Sequence, residues 1–311
     1  MALINSARDL LELARAHNTS LGKVVALAEA ESQQRALDDV VEQMAVSLEV
    51  MKSAAAQGIL HPRRSVGGLI GGEASMLTEL RDSGKAISGA VMSRAMAIAL
   101  AVSEVNASMG KIVAAPTAGA CGILPGALLA AAEALDAPDT KMLDALFAAS
   151  GIGLVIAKNA TLSGAEGGCQ AECGAATSMA AAACVELLDG TPEQCVEAAA
   201  LALKNELGLV CDPIAGLVEV PCAKRNAVKV VEAIACADMA RAGIKSVIPF
   251  DEIVDAMYKI GREMPVTLKE TALGGLAVTP TGSRLALEIH DAQPSVECPP
   301  PVFGENKQGA R

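Results

Sequence analysis

A core nearly devoid of aromatic rings is the strongest constraint on this chain. Its 311 residues hold no Trp, one Tyr (Tyr258) and three Phe, yet 52% of them are hydrophobic. Ala, Leu, Val, Ile and 12 Met must therefore fill the interior, and small side chains of that kind suit helices packed at close range. Strand-period alternation of useful length is missing, whereas apolar residues recur at helical spacing in one segment after another. The expected fold class is all-α, with glycine-rich functional loops. It comprises one large helical domain over residues 1–292 and a Pro-rich flexible tail over residues 293–311.

The punctuation of the chain divides this helical material. Residues 5–60 read as two or three polar-faced helices, closed by His61-Pro62, since proline disfavours helix at the residue before it. Residues 67–72, Gly-Gly-Leu-Ile-Gly-Gly, read as a loop. A long, nearly uncharged helix is expected over 88–109, then a loop over 116–126 and helices over 127–135 and 141–157. A second glycine-rich turn at 164–168 precedes an alanine-rich helix over 170–188. Thr191-Pro192-Glu193 is a helix start with Thr as N-cap, and Gly208 marks that helix's end. Residues 209–224 read as loop, and 225–242 and 251–263 as helices.

Lys and Arg number 25 against 36 Asp and Glu, a net charge of −11. Such acidity argues against a nucleic-acid partner and against docking on an anionic membrane. Residues 112–132 carry no charge and are long enough to cross a bilayer. Pro116, Gly119, Gly122, Pro125 and Gly126 interrupt them, so they are read as buried instead. Arg8, Asp9 and Glu12 break any apolar targeting segment near the start. The expectation is a cytoplasmic protein with reduced thiols, no membrane contact and no nucleic-acid partner.

Nine cysteines are present. Cys169 follows Gly167-Gly168, Cys211 precedes Asp212-Pro213, and Cys222 follows Pro221, so all three sit in irregular backbone. Spacing alone leaves two readings open, a metal-binding trio or three buried thiols that never meet, because compact CxxC pairs are lacking. Cys173, Cys184, Cys195 and Cys236 lie in helical runs and read as core. Cys121 is ambiguous, and Cys298 falls in the tail. The 116–126 loop, with Thr117 and Gly119, offers backbone N–H groups ahead of a helix, an arrangement friendly to an anion. Lys204, Asn205 and Arg225 flank the cysteine loops, either as contacts to a bound group or as ordinary surface and helix-end polar groups. Asp212 is expected to form an Asx turn ahead of Pro213. Lys158 is the nearest candidate for a Schiff-base lysine in a pyridoxal-phosphate enzyme, without a pocket signature around it. His17, His61 and His290 are the only histidines: His17 sits in the polar helical section, His290 lies near the tail, and His61 beside Pro62 is a conceivable proton acceptor.

Several stretches together resemble a known family. They are GAEGGCQAE (164–172), LGLVCDPIAG (207–216), VPCAKRN (220–226), GLIGG (68–72), EVN (104–106), PTAG (116–119) and TPTG (279–282). They resemble, in order, the α chain of iron–sulfur-dependent L-serine dehydratase. The resemblance implies a helical chain holding a [4Fe–4S] cluster through Cys169, Cys211 and Cys222. It further implies oxygen sensitivity and conversion of L-serine to pyruvate and ammonia with a separate β chain. Three thiolates leave one of four irons open, as a Lewis acid for the leaving hydroxyl. Thr117, Gly119, Lys204, Asn205 and Arg225 are then the candidate substrate contacts. The family's Ser-Ser-His-Thr-like segment is absent here, so the base is expected on the β chain. Cys298, in a tail that runs past the TPTG segment, is a candidate cap for the open iron. Alternatives are the same chemistry on L-threonine or L-cysteine, and a non-catalytic subunit whose cysteines clip a structural zinc.

Overall fold

A computed structural model describes residues 4–292. Within them the chain is helical and no strand occurs. The first three helices are α1 (Ala7–Ala16), α2 (Leu21–Gln33) and α3 (Leu37–Leu60). Next come α4 (Glu73–Asp82), α5 (Gly89–Ala107), α6 (Ile123–Leu135) and α7 (Asp139–Asn159). A short α8 (Gly164–Gly167) leads through a π-type turn, Gln170–Gly174, into α9 (Ala175–Leu187). The chain closes with α10 (Pro192–Asn205), α11 (Cys222–Arg241), α12 (Phe250–Glu263) and α13 (Pro280–Ala292).

Local chemistry explains the helix starts. The Ser6 hydroxyl accepts the Asp9 N–H at 3.1 Å and the Asp9 carboxylate accepts the Ser6 N–H at 3.0 Å, a capping box for α1. Asp251, in the first turn of α12, accepts the Ala7 N–H at 2.7 Å and pins α1 to α12. Thr191 and Gln194 form a second capping box, with Pro192 at the first position of α10.

The interior is organised around α9. All 13 of its residues are buried, and six of them, Ala175, Ala176 and Ala180 to Ala183, are alanines. Helices α6, α7, α10 and α11 pack around it. A methyl group is the largest side chain that lets four helices approach one axis closely, which is where the aromatic poverty of the chain comes from. Cys184, Cys195 and Cys236 lie in this core. Three segments, Gly89–Ala107, Ala118–Leu135 and Asp139–Asn159, are long and apolar enough to cross a membrane, and 61–67% of each is buried against the rest of the chain.

Several expectations need revision. Helix α6 begins at Ile123, so Pro125 and Gly126 lie in its first turn, where the missing proline N–H would be unpaired anyway. Helix α11 begins at Cys222, putting this cysteine in a helical first turn rather than a loop. Helix α4 was not expected, because its N-terminal cap is remote in sequence. The buried Glu104 carboxylate of α5 accepts the N–H groups of Gly72 and Ala74 at 3.0 and 2.9 Å. Helix α13 starts where Thr279 accepts the Gly282 N–H at 3.1 Å. Residues 293–311, including Cys298, lie outside the described residues.

Candidate functional site

Four irregular segments meet at one end of α9. They are the 116–122 turn, the α8–π-turn segment 164–174, the 207–216 loop and the start of α11. Gly168 makes the second possible, with φ +74° just before Cys169. A Cβ there would stand 2.6 Å from the Met264 sulfur and 3.0 Å from the Leu209 carbonyl oxygen. Two buried amides then lock the segments together. Gln170 donates its backbone N–H to Leu209 at 3.0 Å, accepts the Gly208 N–H on Oε1 at 2.9 Å and donates Nε2 to the Met257 carbonyl at 3.0 Å. Asn226 accepts the Gly122 N–H at 2.9 Å and donates Nδ2 to the carbonyls of Gly119 and Cys222 at 2.8 and 2.9 Å.

This scaffold brings Cys169, Cys211 and Cys222 within electrostatic reach of one another, all three buried. Arg225 reaches the same place. It donates to the Val210 carbonyl at 2.9 Å, pairs with Asp212 at 2.8 Å and faces the Cys169 sulfur. Asp212 accepts the Leu276 N–H at 2.7 Å, so its carboxylate joins Arg225 to the 275–278 turn rather than serving only a local one. A backbone pair, Cys211 N–H to Leu268 at 2.9 Å and Glu270 N–H to Cys211 at 3.1 Å, lays the 268–270 segment beside Cys211.

Three residues that pattern reading missed complete the site. Glu172, on the π-turn, accepts the Thr117 hydroxyl at 2.7 Å and lies 3.8 Å from the Cys211 sulfur. Gly119 faces the same carboxylate, and a Cβ there would stand 2.9 Å from Glu172 Oε1. Glu172, Cys211 and the exposed Glu270 hold their ligating atoms within 4.8 Å of one another. Cys173, expected in the core, has its sulfur 3.3 Å from that of Cys169. The other candidates point elsewhere. Lys204 donates to the Ser246 carbonyl at 3.1 Å and Asn205 to the Leu201 carbonyl of its own helix at 3.0 Å. Lys158 is tied to the backbone of Ile4 and the side chain of Asn5. His17, His61 and His290 are exposed.

The electrostatics are those of crowded acids. Burial, then the charges of Cys169 and Glu172, push the Cys222 thiol up to about 12. Burial pushes Cys211 up as well, with Cys169, Glu172 and Glu270 adding to it. Glu172 is raised, chiefly by burial, against the opposing Thr117 hydroxyl. Cys169 moves down, because the Cys173 thiol contact and the Arg225 charge outweigh its burial. Sulfur donors converging from three segments, with Arg225 as cationic neighbour, are the donor chemistry that a thiophilic metal group takes up with release of protons. The residues present fit such a group.

A family model described as serine dehydratase alpha chain matches residues 16–277. The chain belongs to that family. It is 49% identical over 287 residues to "Probable L-serine dehydratase, alpha chain" of Bacillus subtilis (strain 168), covering 92% of this chain and 95% of that one. Against "L-serine dehydratase, alpha chain" of Peptoniphilus asaccharolyticus it is 44% identical over 283 residues, 91% of this chain and 97% of the relative. "L-serine dehydratase 1" of Escherichia coli (strain K12) matches at 46% over 182 residues, 58% of this chain and 40% of that longer protein. The three cysteines, Thr117, Gly119, Glu172, Arg225 and Glu270 all fall inside the matched span.

Proposed function

We propose that the chain is the α chain of a cytoplasmic L-serine dehydratase, which deaminates L-serine to pyruvate and ammonia together with a separate β chain. Cys169, Cys211 and Cys222 hold a [4Fe–4S] cluster. When bound, that cluster supplies a Lewis acid for the leaving hydroxyl. The observation that carries this reading is the convergence of the three thiols beside Arg225 in a chain of this family.

The chain's own residues divide the remaining work. Arg225 offsets negative charge at Cys169, and its bonds to Val210 and Asp212 fix its guanidinium there. Thr117 gives its hydroxyl to Glu172, and the backbone of the Gly119 turn beside it suits a substrate carboxylate. Lys204 and Asn205 are turned to backbone carbonyls elsewhere, so carboxylate recognition is assigned to the Gly119 turn and Arg225, with Thr117 holding Glu172 beside them. Proton removal from Cα is assigned to the β chain, in keeping with three exposed histidines. The eight cysteines among the described residues are free and buried, which suits a reducing compartment.

Anaerobic co-expression with the β chain tests the reading. A brown complex with iron and acid-labile sulfide should release pyruvate from L-serine. L-Threonine and L-cysteine in the same assay set the substrate range. Loss of iron on changing Cys169, Cys211 or Cys222 singly to Ser is expected, and full iron retention in all three would overturn it. So would turnover by the α chain alone for the role given to β. One further reading has support, because the Glu172–Cys211–Glu270 group suits a single ion with mixed oxygen and sulfur donors. A colourless chain holding one zinc would favour that structural clip.

A further inference from the structure

The sulfur atoms of Cys169 and Cys173 lie 3.3 Å apart, and both are buried, at 3% and 0% exposure. They stand four residues apart on one helical turn, where axial rise separates the backbones by about 6 Å, within the range a disulfide spans. The π-type winding of Gln170–Gly174 puts both thiols on the same side of that turn. Closing the sulfurs to bonding distance needs only a side-chain adjustment of about 1 Å. Cys211 and Cys222 approach from other segments, each held by its own backbone bonds to Leu268 or Asn226.

We propose that Cys169 and Cys173 form a reversible disulfide, a modification site in which Cys173 is the resolving thiol for Cys169. The oxidant is hydrogen peroxide, which meets Cys169 first because that residue keeps 3% exposure where Cys173 has none. The Cys169 sulfur attacks one peroxide oxygen and the O–O bond breaks. The departing oxygen leaves as water, and Cys169 becomes a sulfenic acid. The Cys173 sulfur then attacks Cys169, forming the S–S bond and expelling the second oxygen as water. In sum, two thiols and one hydrogen peroxide give one disulfide and two waters; sulfur is oxidised and peroxide reduced. A dithiol reverses the step by exchange. The pair forms in the chain without a bound cluster, and its consequence rests on the function proposed above: a Cys169 tied to Cys173 is unavailable as a ligand.

The full-length chain, prepared without oxygen, freed of any bound iron with a chelator and treated with one equivalent of hydrogen peroxide, provides the test. Glu172 lies between the two cysteines, so cleavage after glutamate separates them. Expected is a Cys169 fragment joined to the Cys173 fragment, with the link intact in a Cys184→Ser chain and with Cys211 and Cys222 still open to alkylation. In Cys173→Ser, Cys169 should instead stop at sulfenic acid with one equivalent and advance to sulfinic acid with a second, which dithiol does not reverse. Pairing of Cys169 with Cys211 or Cys222, or a Cys173 that stays alkylatable after treatment, would overturn the proposal. Iron and acid-labile sulfide, measured separately on the untreated chain, report on the cluster. Their absence would sink that reading while the fragment masses still decide the disulfide.

Discussion

Asn226 holds two sides of the site with one amide. Replacing it with Ala orphans the Gly122 N–H and the Gly119 carbonyl in a buried setting and frees the Cys222 end of α11. Asn226→Ala should cost about 2–3 kcal/mol of unfolding free energy and lower iron content in the anaerobic protein. An unchanged urea midpoint would show that water replaces the amide. Glu206 is the residue to watch for pH. Its side chain is fully buried at the end of α10, 2.6 Å from Lys229, which also contacts Glu232 at 3.0 Å. Burial first, then Glu232, push its carboxyl up from 4.5 to about 8, against the pull of Lys229. The folded chain therefore binds a proton more tightly than the unfolded one, and stability falls as pH rises across that interval. The thermal midpoint should drop between about pH 5.5 and about pH 8.5, and Glu206→Gln should flatten that slope; an equal slope in the variant would assign the effect elsewhere. At this scale, flanking Gly and Pro marked Cys169, Cys211 and Cys222 as candidates, and the family resemblance, not their spacing, grouped them. Glu172, Cys173 and Glu270 were not, because Glu172 and Cys211 meet across 39 residues and a π-turn has no pattern that distinguishes it from an α-helix.

Helices carry their own predictions. On α9 the alanines are spacers, so enlarging one is worse than trimming one. Ala182 has no exposed surface, and Ala182→Leu should destabilise by about 1–3 kcal/mol through overpacking, measured by denaturant unfolding. A neutral result would mean slack around α9 that the burial does not reveal. For α10, Thr191→Ala removes a capping box and should cost about 1 kcal/mol without touching iron content. The long helices and the α10 start were readable from periodicity and from Thr-Pro. Helix α4 escaped because its cap comes from Glu104, a tertiary contact that no local window contains. The starts of α6 and α11 were misplaced because proline and glycine were read as breaks, whereas a first turn tolerates them.

For the molecule as a whole, the site is a seam. It joins the 116–122 turn, the π-turn, the 207–216 loop and α11, and residues 268–270 close over Cys211. A ligand shared by three of these segments stabilises the folded chain by mass action. Chelating the iron of the proposed cluster under anaerobic conditions should therefore lower the unfolding midpoint by several degrees, at about 2 °C per kcal/mol for a chain of this length. Protease cuts should gather in residues 207–222 and 264–276. Equal midpoints with and without iron would detach the cluster from the fold. The all-α class was visible from composition, since a chain with four aromatic residues has few other ways to fill an interior.

The buried run of alanines through α9 also sets a clock. No residue of Ala175–Leu187 has a face to solvent, so its amide hydrogens can trade with heavy water only when the surrounding helices part together. Those hydrogens should be the last in the protein to exchange, at one common rate that reads out global unfolding. Faster exchange there than in α5 or α7 would show that the molecule opens from its middle.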